Sequence, residues 1–77
     1  MVREIHQARS RQELDSLANQ ILAKANRQIH WFHSYNAAAE AMEGWGYLKE
    51  ADWLRLIQNK SLEITQSSRA SRSENLF

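Results

Sequence analysis

At 77 residues with a formal net charge of +1, the chain is one domain at most and carries no global field that would draw it to nucleic acid or acidic lipid. Cysteine is absent, which excludes disulfides and thiolate metal sites. Chains this short bury only about 60% of their unfolded surface, so self-association or a partner protein is the expected supplement to stability.

Proline is also absent, and the only glycines are Gly44 and Gly46. An all-β domain needs turn residues about every 8 to 12 positions, so the composition predicts an all-α fold. The charges are unevenly spread. Residues 1–33 hold Arg3, Arg9, Arg11, Lys24 and Arg27 against Glu4, Glu13 and Asp15, whereas residues 34–66 hold Lys49, Arg55 and Lys60 against Glu40, Glu43, Glu50, Asp52 and Glu63. Two antiparallel segments would bring these opposite imbalances together. Exposed pairs contribute only about 0–1 kcal/mol each, so they would orient the segments rather than hold them.

Residues 1–9 are compatible with helix but poor in apolar groups. Ser10-Arg11-Gln12-Glu13 fits a capping box, in which Ser10 accepts from the Glu13 N–H and the Glu13 carboxylate reaches back to the N–H of Ser10. Apolar positions then recur at Leu14, Ala18, Ile21, Ala25, Phe32, Tyr35, Ala39 and Met42, spaced three and four apart with Gln28 interrupting. The pattern predicts one long amphipathic helix over 11–43, extending about 50 Å. Ile5 is out of phase with that stripe, which places a break near Ser10.

Gly44-Trp45-Gly46 is expected to end the helix, with Gly44 as the left-handed cap. A second helix over 47–58 carries Leu48, Ala51, Trp53, Leu54, Leu56 and Ile57, with Asn59-Lys60 as its weak point and an extension to 66 favoured. The expected architecture is an antiparallel αα-hairpin within a single helical domain of residues 1–66, pairing into a bundle. Residues 67–77, rich in serine and arginine, read as a disordered tail. No segment approaches the roughly 18 apolar residues of a membrane span and the N-terminus lacks a signal-peptide core, so a cytoplasmic location is the default expectation.

Candidate chemistry is sparse. His30 and His33 lie three apart, but no ligand set has metal-site spacing, and no metal or cofactor is expected. A two-helix chain offers almost no concave interior in which to shift a pKa, so catalysis is not expected. The segment Trp31-Phe32-His33-Ser34-Tyr35 would serve as a stacking platform with Lys24 or Arg27 on phosphates, though aromatics at helical spacing are more often packing. A helix-turn-helix reader is disfavoured because Lys49, Glu50, Asp52 and Arg55 sum to zero charge on the second helix.

What the sequence does show is more apolar surface than one hairpin can cover. The leading expectation is a non-enzymatic protein–protein interaction module of adaptor, chaperone or inhibitor type, acting on a protein partner or as a homodimer. Its expected anchors are Trp31, Phe32, Met42, Trp45, Tyr47, Trp53 and Leu56, because interface energy concentrates in large aromatics and their neighbours. The alternatives are a nucleic-acid-binding regulator using the basic first segment and the Ser/Arg tail, and a protein that sequesters a small ligand or nucleotide between protomers.

Overall fold

The computed structural model describes residues 1–75, with side chains through Thr65. Among the described residues the chain is mostly helical and has no strand. Helix α1 spans Val2–Gln7, α2 spans Arg11–Leu22, α3 spans Tyr35–Gly44 and α4 spans Leu48–Asn75, with short 3₁₀ turns at Ala23–Ala25 and Ile29–Trp31. Helices α1, α2 and α3 all pack on α4, the α3–α4 contact being the most extensive. The tail expected over 67–77 lies outside the residues whose side chains are described.

Extended backbone at Ala8 ends α1, and Ser10 opens α2 with its hydroxyl accepting the Glu13 N–H at 3.3 Å. The other half of the expected capping box is displaced by one residue. The Glu13 carboxylate accepts from the Arg9 N–H at 2.9 Å, not from Ser10.

The single helix expected over 11–43 does not form. Asn26 adopts the left-handed conformation at φ 58°, its N–H donating to the Ala23 carbonyl at 3.0 Å, while Arg27 N–H reaches the Leu22 carbonyl at 3.1 Å. That paired pattern is the Schellman stop, with asparagine standing where glycine is commoner. Three further backbone donors in the stretch before α3 are met within this loop or by α2. Ile29 N–H donates to Asn19 Oδ1 at 2.8 Å, Trp31 N–H to the Gln28 carbonyl at 3.1 Å and Phe32 N–H to the Ile29 carbonyl at 3.0 Å. Ser34 restarts the helix by accepting the Ala37 N–H at 3.0 Å.

The apolar stripe survives this break. Leu14, Ala18 and Ile21 from α2 are buried together with Tyr35, Ala39 and Met42 from α3, while Ala25 and Phe32 pack half-buried at the edge. Ala51, Leu54 and Ile57 of α4 complete the core with Ile5 and Ala8. Fully buried Ala38, Ala39 and Ala51 leave little side chain between α3 and α4, so their backbones approach closely. Arg55 pairs with Glu43 at 2.5 Å, and the Asn36 N–H donates to Gln58 Oε1 at 3.4 Å along the same contact.

A second Schellman stop ends α3. Gly46 takes φ 94°, its N–H donating to the Glu43 carbonyl at 3.0 Å, and Tyr47 N–H reaches the Met42 carbonyl at 2.9 Å. Gly44, expected as the cap, is the last residue of the helix itself. Helix α4 begins at Leu48 and runs through Asn59-Lys60 without the weak point expected there.

Candidate functional site

Three stretches distant in sequence converge where α3 turns into α4. The 3₁₀ turn after α2 contributes Lys24 and Arg27, the turn after α3 contributes Trp45 and Tyr47, and the first turns of α4 contribute Lys49, Glu50 and Trp53. Lys24 Nζ bonds Glu50 Oε2 at 2.9 Å across 26 residues, and its ammonium lies 5.7 Å from the centre of the Trp53 ring. The hydroxyl of Tyr47 donates to the Lys24 carbonyl at 3.4 Å, which pins the same turn from the other side. Lys49 also sits over Trp53, at 5.3 Å, and the Arg27 guanidinium lies 5.0 Å from the Trp45 ring centre.

The electrostatics of the corner follow from these contacts. The Lys24 ammonium, with help from the backbone N–H at the start of α4, holds the Glu50 carboxyl below its ordinary pKa. The Glu50 carboxylate is thereby favoured in its ionised form, bonded to Lys24. A groove of about 330 Å³ opens between Lys24, Arg27, Trp45 and Tyr47. Its lining mixes the cations with aromatic surface, Trp45 being 47% exposed; Leu48, three residues on at the start of α4, is 62% exposed.

The residues singled out from sequence separate into three places. Trp45, Tyr47 and Trp53 meet at this corner, Trp45 exposed and the other two half-buried against the core. Trp31 and Phe32 stand apart in the loop before α3, where Trp31 is 55% exposed with the His30 ring edge-on at 5.9 Å. Leu56 is half-buried on α4. Met42 is completely buried and is a core residue, so its place among the partner contacts is corrected: the stripe that α3 presents at this position faces α4, not solvent. Lys24 and Arg27 also move, from the expected platform at 31–35 to the two indoles of the α3–α4 corner. Leu48 and Lys49 lie outside the expected anchors; Lys49 gains significance from its place over Trp53, and Leu48 from its exposure at the start of α4.

A second, smaller cleft of about 180 Å³ lies between Arg11, Asp15, His30, His33 and Tyr35. Inside it the Tyr35 hydroxyl donates to the Asp15 carboxylate, and the Arg11 guanidinium lies 5.8 Å from the Tyr35 ring centre. Burial, reinforced by the Asp15 carboxylate, pushes the Tyr35 phenol up from 10.0 to about 12. A raised folded value means that the neutral phenol stabilises the fold fully below pH 10 and that this contribution disappears as pH rises through 12. Alkaline absorbance titration is expected to show one tyrosine ionising near pH 12, and Tyr35→Phe to abolish it together with the matching fall in melting temperature. Ionisation of Tyr35 near 10 would contradict the contact. Among the described residues no group of three or more His, Asp or Glu side chains gathers as metal ligands.

No helix among the described residues is long and apolar enough to cross a membrane. Compared with family models, curated proteins and solved structures, the chain matches none.

Proposed function

We propose that the chain is a non-enzymatic helical interaction module that works by docking its α3–α4 corner onto another protein. The observation that carries the reading is the pair Trp45 and Leu48, both exposed and three residues apart across the α3–α4 turn, while thirteen other apolar side chains already fill the core. A large aromatic left half in solvent on a rigid, fully hydrogen-bonded turn has the character of an interface anchor, since binding energy concentrates in such residues when a partner desolvates them. The Schellman stop at Gly46 and the Lys24–Glu50 bridge hold the corner in place, so little ordering entropy remains to oppose binding. An α-hairpin of α3 and α4 that pairs with a second copy is the homotypic form of the same proposal.

The test is a complex captured on the tagged full chain and rebuilt from purified components. Calorimetry is expected to show that Trp45→Ala combined with Leu48→Ala weakens the rebuilt complex roughly thirty-fold, equivalent to about 2 kcal/mol. The double variant binding as tightly as the natural chain would remove this corner from the interface. Light scattering of the chain alone reads the homotypic form, in which the natural chain doubles in mass and the variant does not.

A second reading, a nucleic-acid-binding regulator, is favoured by one specific feature: Lys24, Arg27 and Lys49 gather around two indoles. Phosphate-driven binding would weaken steeply with added salt, whereas apolar anchoring would change little.

A further inference from the structure

Charge accounting at the corner narrows the chemistry of the partner. Apart from the N-terminal amine on Glu4, the ion pairs formed among the described residues engage Lys24 with Glu50, Arg55 with Glu43 and Asp52, and Lys60 with Glu63. Arg27 and Lys49 are in none of them. Both are exposed, and each rests over an indole ring, Arg27 on Trp45 and Lys49 on Trp53. Stacking against an indole costs a cation none of its charge, and although Arg27 Nη1 donates to the Asn26 carbonyl at 3.4 Å, both side chains keep donors for an incoming anion. The corner thus displays two uncommitted cations beside an exposed Leu48 and the exposed part of Trp45.

We propose that this corner binds a short acidic amphipathic segment of a partner protein, with two carboxylates on Arg27 and Lys49 and large apolar side chains on Trp45 and Leu48. The inference rests on the protein-docking reading above and adds the chemistry of the docked segment. Two features favour carboxylates on a peptide over a phosphate strand. Both indoles already carry cations, which leaves less of the open ring face on which bases stack. Lys24 is already bonded to Glu50 and Arg55 to Glu43 and Asp52, so the free cations of the corner, Arg27 and Lys49, are two separate points rather than the basic track that a phosphate backbone follows. A peptide can place its charges only where Arg27 and Lys49 stand, and electrostatic complementarity of this discontinuous kind selects partners.

The experiment is selection of random short peptides displayed against the full chain, followed by fluorescence titration of its tryptophans with the recovered peptides in synthetic form. The expected peptides carry two or more Asp or Glu flanked by Leu, Ile, Phe or Trp. Combined Arg27→Glu and Lys49→Glu is expected to weaken them by about tenfold or more, while Arg3→Glu on α1 leaves them unchanged. All three sites are exposed, so circular dichroism is expected to show the natural helix content in each variant. Peptides without acidic bias, or acidic ones indifferent to the double reversal, overturn this inference and leave docking of a different chemistry standing. Recovery of no peptide overturns both the inference and the docking reading. Oligothymidine titrating more tightly than every recovered peptide overturns both in favour of the nucleic-acid reading.

Discussion

Replacing Leu54 with alanine is expected to cost about 3 kcal/mol of unfolding free energy, within the roughly 2–5 kcal/mol seen when buried leucines are truncated. Leu54 has no exposed surface and lies on the face of α4 that meets the other helices, alongside Ala51 and Ile57. The core around it is close-packed and relaxes only in part, so a cavity remains and its cost adds to the lost transfer energy. At about 0.05–0.15 kcal/mol per residue, a chain of this size holds only about 4–12 kcal/mol in total, so the variant forfeits a large share of it. Leu62, eight residues along the same helix and 51% exposed, supplies the control. Leu62→Ala is expected to change stability by less than about 0.5 kcal/mol in the same urea titration, with an unchanged denaturant slope. Equal losses at the two positions would contradict the packing of α4.

Much of that packing is legible in the sequence because burial follows the apolar period, and the period does not depend on whether one helix or two delivers it. Leu14, Ala18 and Ile21 share a stripe with Tyr35, Ala39 and Met42 in either case, since α3 resumes in the phase that α2 leaves. For the same reason the stripe conceals the break. Asparagine permits the left-handed conformation at residue 26 without requiring it, and the decisive support is the Asn19 side chain accepting an N–H ten residues away. Ser34 is a legible helix start only once a stop before it is suspected.

The candidate site is less legible still, because all of its contacts except that of Lys49 with Trp53 join residues 18 or more apart in sequence. Arg27 meets Trp45, and Lys24 meets Trp53 and Glu50. Those meetings exist only because the chain stops at Asn26 and turns back at Gly46. A straight helix over 11–43 would have carried Lys24 and Arg27 about 26–33 Å from the turn at 44–46, at 1.5 Å per residue. The tryptophans were legible as surplus, but which cations they gather depended on the break. The corner and the helix break are therefore one structural fact, and a single-residue test of the turn geometry bears on both.

That test is the pair Gly44→Ala and Gly46→Ala, whose expected effects have opposite signs. Gly44 is helical, and a Cβ built there meets nothing within 4 Å. Alanine at this position removes backbone freedom from the unfolded chain without strain in the folded one, and is expected to stabilise by about 0.5–1 kcal/mol. Gly46 has equal space around it but sits at φ +94°, where an L side chain collides with its own backbone. Alanine there is expected to destabilise by about 1–2 kcal/mol. The chain can escape only by giving up the Gly46 and Tyr47 hydrogen bonds to Glu43 and Met42. Because Tyr47 also holds the Lys24 carbonyl, Gly46→Ala is expected to loosen the Arg27–Trp45 corner, read as a red shift of tryptophan emission, whereas Gly44→Ala leaves the emission unchanged. Reversed signs would restore Gly44 as the left-handed cap and move Trp45 into a different turn. The corner that brings Arg27 and Lys49 onto neighbouring indoles would then lose its geometric basis.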